Sequence, residues 1–206
     1  MEQYAVYKNV VTKMAPHVVT IRTMDIGGDK EVEALGLPQE QNPFLGYRAI
    51  RICLDRIDLF KTQLRAILRA SIHGKIQMMF PMISCMEELD RALEILETVK
   101  EELNKEGVAY DINMPIGIMV EVPSTAVMAD AFIKKVDFFS IGSNDLTGYT
   151  IAVDRQNEKM ENLYDYFHPS VLKLIEITIK ACKDEGKSCS LCGEMAADPM
   201  AVPVLI

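Results

Sequence analysis

Val136-Asp137-Phe138-Phe139-Ser140-Ile141 is an apolar run of strand length, and it stops at Gly142-Ser143-Asn144-Asp145, where small and polar residues take over. A short run bounded by turn residues suits a strand buried on both faces of a parallel sheet. The same signature recurs on either side of it. Ile116-Gly117-Ile118-Met119-Val120 ends at Glu121 and Pro123, and Ile76-Gln77-Met78-Met79-Phe80 is stopped by Pro81. Nearer the termini, Val18-Val19-Thr20-Ile21 runs into Arg22, with Gly27-Gly28 soon after, and Cys189-Ser190-Leu191-Cys192 ends at Gly193-Glu194.

Helical patterns fill the intervals. Ser84 and Glu87 have capping-box spacing, and Leu89, Leu93, Leu96, Val99 and Leu103 follow on one stripe until Gly107. Leu59, Leu64, Ile67 and Leu68 mark a second helix ending before Gly74. Pro169-Ser170 opens a third, carrying Val171, Leu174, Ile175, Ile179 and Cys182 and closed by Gly186. Residues 2–14 read as a further helix with Tyr4, Tyr7, Val11 and Met14 on one face. Strands alternating with helices indicate βα units in an α/β fold. About five strands are legible in 206 residues. A (β/α)8 barrel needs eight strands and about 250 residues, whereas a doubly wound sheet closes with five. The pattern leaves both open.

Composition narrows the function classes. A formal net charge of −8 argues against general nucleic-acid binding, which needs a basic surface. An anionic ligand would then need local arginines, aided by a divalent cation. No apolar stretch approaches the ~20 residues of a membrane span, so no membrane insertion is expected. Met1-Glu2-Gln3-Tyr4 lacks a signal-peptide pattern. Five scattered cysteines, an odd number, read as reduced thiols of a cytoplasmic protein.

Polar residues cluster after four of the apolar runs: Arg22 with Asp25, Glu121, Asn144 with Asp145, and Cys192 with Glu194. The carboxyl ends of parallel strands carry the active sites of α/β folds because their loops converge there. Glu121 and Asp145 each lie just past a strand and could reach one ion. Mg²⁺ takes few carboxylates and completes its shell with water and substrate oxygens; the plain alternative is two strand-end or helix-cap acids. Arg22, Arg48, Arg51 and Arg155 lie in or beside these loops, and guanidinium forks bind phosphate and carboxylate. Surface solvation is the alternative for each, and Arg22, directly after a buried strand, is the strongest candidate. Gly27-Gly28 could add backbone donors. Cys189-x-x-Cys192 suggests a redox or zinc pair, but no second pair exists, and residues three apart in a strand face opposite sides. Cys192 therefore reads as a single acid/base group at a cavity rim, with Cys53, Cys85 and Cys182 packing as small hydrophobes. His17, His73 and His168 have no neighbouring base that would make a relay.

At these same residues the chain resembles a known family. Residues 20–30 (TIRTMDIGGDK), 42–51 (NPFLGYRAIR), 119–123 (MVEVP), 137–147 (DFFSIGSNDLT), 152–155 (AVDR) and 192–196 (CGEMA) are similar to enzyme I, the phosphoenolpyruvate–protein phosphotransferases of the bacterial sugar phosphotransferase system. Pyruvate phosphate dikinase and phosphoenolpyruvate synthase share the barrel, but residues 46–51 and 192–195 look like the enzyme I versions. The resemblance implies a (β/α)8 barrel, here incomplete at about five of eight strands over residues 1–206. It implies that Glu121 and Asp145 hold Mg²⁺, and that Arg22, Asn144, Asp145 and Arg155 bind phosphoenolpyruvate. Arg48 occupies a motif position near that site. Cys192 matches the acid that protonates C3 of the enolate to give pyruvate.

The implied activity is phosphoryl transfer from phosphoenolpyruvate to an enzyme histidine, and then to a phosphocarrier protein, for sugar uptake. Implied partners are phosphoenolpyruvate and pyruvate, the phosphocarrier through another domain, and a second copy of the chain in a homodimer. The chain departs from the family pattern at Ser143, usually Thr, at Gly148, usually Gln, and at Ala197, usually Gly. By comparison with the family the N-terminal phosphohistidine domain, the first two barrel strands and the last one are expected to be absent. A non-catalytic truncated remnant or binding-only fragment is the alternative, and an aldolase-like lyase on the same barrel a third.

Overall fold

The three middle apolar runs become strands whose side chains find cover on both faces, whereas the first and last keep exposed residues such as Thr20 and Ser190. The computed structural model describes residues 2–28, 36–37 and 40–205. Its strands are β1 (Val19–Arg22), β2 (Ile76–Phe80), β3 (Ile116–Val120), β4 (Phe138–Gly142) and β5 (Ser188–Cys192). Asp29 and Lys30, at the end of the first motif, lie outside the described residues. The chain packs as two units, Met1–Met82 with Met86–Ile116, and Ile83–Cys85 with Gly117–Ile206.

In the first unit β1 and β2 pair in parallel, Val19 with Ile76 through Arg22 with Met79. Among the described residues the α-helices that accompany them are α1 (Glu2–Met14), α2 (Ile50–Asp55), α3 (Ile57–Ala70) and α4 (Met86–Lys105). Phe60, Leu64, Ile67 and Leu68 of α3 are buried at i, i+4, i+7, i+8 spacing. Phe60 meets Phe80 of β2 edge-on, with ring centroids 6.0 Å apart. Leu89, Ala92, Ile95, Leu96, Val99 and Leu103 form the corresponding stripe of α4. On α1 the buried face is narrower than expected: Val11 is covered, but Met14 is exposed.

Helix α4 starts at Met86, one residue later than a capping box on Ser84 requires. The loop before it is committed elsewhere, since the Ile83 and Ser84 carbonyls accept the hydroxyls of Thr125 and Ser124. Cys85 sits in that loop and is exposed, not packed inside as expected.

In the second unit β3, β4 and β5 are parallel, with Gly117 beside Phe138 and Phe138 beside Ser188. Every residue of β4 is buried. The helices are α5 (Pro123–Val127), α6 (Ala129–Phe132), α7 (Ser143–Ile151), α8 (Pro169–Asp184) and α9 (Val202–Leu205). His168 caps α8, its Nδ1 accepting the Ser170 N–H, and Pro169 takes the first helical position. Val171, Ile175, Thr178, Ala181 and Cys182 are the buried face of α8.

Within each unit the paired strands keep chain order. A doubly wound sheet reverses that order at its switch point, whereas a (β/α)8 barrel keeps it throughout. The protein is therefore an α/β chain of the incomplete (β/α)8 barrel class, with five strands among the described residues, parallel within each unit.

Candidate active site

The strand ends of the second unit carry most of the chemistry. Register places Val120 beside Ile141 and Gly142 beside Cys192, so Glu121, Gly142 and Cys192 fall in one row. Glu121 is only 1% exposed, an environment in which a carboxylate needs compensation. Gly142 makes its room: a Cβ there would lie 2.9 Å from Glu121 Oε2. After Gly142 the chain passes straight from β4 into α7, where the sequence suggested only a turn. Ser143, Asn144 and Asp145 thus form the first turn of that helix, where unpaired backbone N–H groups and the helix dipole favour negative charge.

Asn144 ties this turn to the segment after β5. Its Oδ1 accepts the Glu194 N–H at 3.0 Å, and its carbonyl accepts the Tyr164 hydroxyl at 3.1 Å. The Glu194 carboxylate meets Arg155 Nη1 at 3.3 Å, with both side chains well exposed. Arg155, Gln156, Glu161, Tyr164 and Glu194 line a cavity of about 690 Å³. Burial, then the charge of Glu194, pushes the Tyr164 hydroxyl up to about 12, which keeps it a neutral donor.

Cys192 is held from three directions. Its thiol donates to the Ile141 carbonyl at 3.3 Å and accepts the Ser140 hydroxyl at 3.7 Å. Its carbonyl accepts the Ser143 hydroxyl at 2.7 Å. The next residue, Gly193, has φ 94°, and any Cβ there would collide with Ser143 Oγ. Only glycine meets both demands without strain.

The first unit holds a separate charged cluster. Arg22 ends β1 and pairs with Asp25 at 3.0 Å, while the other Asp25 oxygen takes Arg48 Nη2 at 3.2 Å. The Asp25 and Arg48 side chains are 3% and 4% exposed, but Arg22 is 34% exposed. Arg48 also lies over the Phe44 ring, 5.7 Å from its centroid. Gly27 lets the two loops approach, since a Cβ there would be 2.7 Å from Arg48 Cβ. Arg51, an anion candidate in the sequence, braces the chain instead, donating to the Leu45 and Gly46 carbonyls and pairing with Glu88. Cys53 is fully buried, and burial, reinforced by the Asp25 charge, pushes its thiol up to about 12.

Glu121, Asn144, Asp145, Arg155 and Cys192 thus belong to the second unit, and Arg22 and Arg48 share Asp25 in the first. Ser140 and Tyr164 escaped the sequence reading. Ser140 was signalled only as one hydroxyl inside an apolar run, and Tyr164 lies in an irregular stretch without spacing cues. Glu121 and Asp145 suit Mg²⁺: they are hard oxygen donors, and the Gly142 cradle leaves the Glu121 carboxylate in place. Among the described residues no group of three or more His, Cys, Asp or Glu gathers for a metal, so any ion would complete its shell from water and ligand.

The family model described as "PEP-utilising enzyme, PEP-binding domain" matches residues 1–206. The phosphoenolpyruvate-protein phosphotransferase of Priestia megaterium is 52% identical over 205 residues, covering 100% of this chain and 36% of the relative. Those of Bacillus subtilis (strain 168) and Staphylococcus aureus are 53% and 51% identical over the same extent. The chain thus spans 36% of the length of these curated relatives. Among solved structures, a citrate lyase from Burkholderia xenovorans LB400 superposes with a TM-score of 0.50 at 17% identity, covering 70% of this chain and 52% of that one. At that identity the likeness concerns the fold alone. Among the described residues no helix is long and apolar enough to cross a membrane.

Proposed function

The chain belongs to the phosphoenolpyruvate-utilising enzymes, matching their PEP-binding domain, and on that premise we propose that it is the phosphoenolpyruvate- and Mg²⁺-binding catalytic portion of a phosphoenolpyruvate–protein phosphotransferase. Glu121 and Asp145 would hold Mg²⁺, which when bound supplies Lewis-acid stabilisation of the phosphoryl and enolate oxygens. Arg22 and Arg155 offer guanidinium groups to the phosphoryl and carboxylate oxygens, and the Asn144 amide adds a polar contact. Arg48, nearly enclosed, contributes through Asp25, which also holds Arg22.

In the reaction the P–O bond to the enol oxygen breaks and the phosphoryl group passes to a histidine outside residues 1–206. The Cys192 S–H bond breaks as a C–H bond forms at C3, giving pyruvate. The thiolate recovers its proton from water. The phosphohistidine then serves a phosphocarrier protein in sugar uptake, in the cytoplasm, with the chain associating as a homodimer.

The observation that supports this reading is the Cys192 thiol, fixed at the end of β5 in register with Gly142, against which the Glu121 carboxylate packs. Two measurements on the chain test it. Millimolar phosphoenolpyruvate with Mg²⁺ should raise Tm by about 3 °C, and Glu121→Ala should remove the rise. In D₂O with Mg²⁺, the chain should exchange the methyl protons of pyruvate, followed by NMR, and Cys192→Ala should stop the exchange while leaving the thermal shift. Absence of any shift in the unaltered chain would sink the reading. A shift without exchange would favour the binding-only alternative.

A further inference from the structure

Strand β4 contains one side chain that its apolar neighbours do not explain. Phe138, Phe139 and Ile141 are buried and apolar, yet Ser140, 4% exposed, puts a hydroxyl among them. A hydroxyl in such a place costs stability unless it is bonded. Ser140 faces Ser190 in the register, with Cys192 two residues further along β5. Diagonal neighbours of this kind share one face of a sheet. The Ser190 hydroxyl turns to the Phe139 carbonyl at 3.5 Å, while the Ser140 hydroxyl is directed at Cys192 Sγ, 3.7 Å away.

The two bonds to Cys192 sulfur have different fates when the thiol acts as an acid. The bond to the Ile141 carbonyl uses the S–H proton and vanishes when that proton leaves. The bond from Ser140 strengthens, because thiol sulfur is a weak acceptor and thiolate a charged one. A donor that gains strength with charge favours the charged form. Acidic groups on the neighbouring elements oppose a thiolate and do not stabilise it. Glu121 beyond β3 and Asp145 in α7 are acidic, and so is Glu194 after β5, whose carboxylate is paired with Arg155. Cys189, three residues back on β5, points to the opposite face.

We propose that Ser140 is a positioning residue for Cys192, its hydroxyl fixing the sulfur and stabilising the thiolate left after proton transfer. The proposal rests on the reading of Cys192 as the acid, but its test needs no substrate, so the two fail separately. The test is the pH dependence of Cys192 alkylation by iodoacetamide in the full chain, with the modified peptide quantified by mass spectrometry so that the other cysteines do not interfere. Ser140→Ala should move the midpoint upward by about one pH unit, and Ser140→Thr should restore it. Ser140→Gly repeats the deletion should Ser140→Ala not fold. An unchanged midpoint in a folded deletion variant overturns the proposal, including when Tm falls, since Ser140 would then serve packing alone.

Discussion

Two ion-paired arginine clusters, one in each unit, differ in a way that decides what they can do. Around Asp25 the carboxylate is 3% exposed and shared by Arg22 and Arg48. Around Arg155 the guanidinium is 43% exposed and its partner Glu194 62%. In the enclosed cluster desolvation has been paid at folding, so removing one member strands a charge away from water. In the open cluster water screens the pair and either member can let go at little cost. The first is a fixed part of the fold that presents only Arg22, and the second is an exchangeable contact that an incoming anion can take over.

The most severe way to break this comparison is Asp25→Ala. It leaves two guanidinium groups facing each other with the intervening charge gone, and it should destabilise the chain by about 3 kcal/mol. Urea unfolding followed by circular dichroism would measure it. Asp25→Asn, which keeps an acceptor of the same shape, should lose less. A loss for Asp25→Ala below that of an ordinary surface substitution would mean the cluster is not the fixed element described above.

A second, smaller effect appears in alkali. Each cluster has a neighbour pushed up to about 12 chiefly by burial: Cys53 near Asp25, from 9.0, and Tyr164 near Glu194, from 10.0. A folded-state pKa above the unfolded one means the folded chain holds its proton longer. The stability linked to it is complete below the unfolded pKa and is lost as pH rises through the folded one. Urea midpoints should therefore begin to fall near pH 9 because of Cys53 and of Cys189, whose thiol is raised by its bond to Cys182 and by burial, and steepen above pH 10, where Tyr164 and the similarly raised Tyr47 join. Cys53→Ala should flatten the part between pH 9 and 10, and Tyr164→Phe should act only above it. An equally steep decline between pH 9 and 10 in Cys53→Ala would remove Cys53 from the account.

These two clusters were unequally legible in the sequence. Strands read to within one or two residues, and for β2, β3 and β4 the reason is burial on both faces, which writes itself as an apolar run; β1 and β5, partly exposed, were marked by the polar and glycine residues that follow them. Where a boundary slipped, a side chain had intervened: β4 begins at Phe138, not Val136, and the Val136 carbonyl accepts Lys187 Nζ at 2.8 Å. Helix α7 was missed because Ser143, Asn144 and Asp145 carry turn chemistry and leave only a short apolar stripe, with Leu146 and Thr147 its other buried residues. The positions of Arg22, Glu121 and Cys192 followed from strand ends. The bond between Asp25 and Arg48 did not, since it joins residues 23 positions apart with no periodicity to announce it. The site's polar residues were visible singly, and their pairing was a product of tertiary structure.

The smallest expected stability change is the most telling about function. Glu194→Gln removes the charge that Arg155 faces, but the Glu194 backbone N–H still reaches Asn144 Oδ1. Because the pair is exposed on both sides, unfolding should shift by less than about 0.5 kcal/mol. Ligand affinity should move more. With the internal carboxylate gone, the Arg155 guanidinium meets an incoming phosphoryl or carboxylate group without a competitor, and phosphoenolpyruvate with Mg²⁺ should bind about two- to threefold more tightly by calorimetry. Arg155→Ala should weaken the same binding about tenfold while leaving stability equally untouched. If Glu194→Gln instead unfolds the chain as readily as Asp25→Ala, the open cluster is structural after all. Should it fold normally and bind more weakly, Glu194 contributes to the ligand directly, and its place beside Arg155 is that of a partner in binding, not a competitor for it.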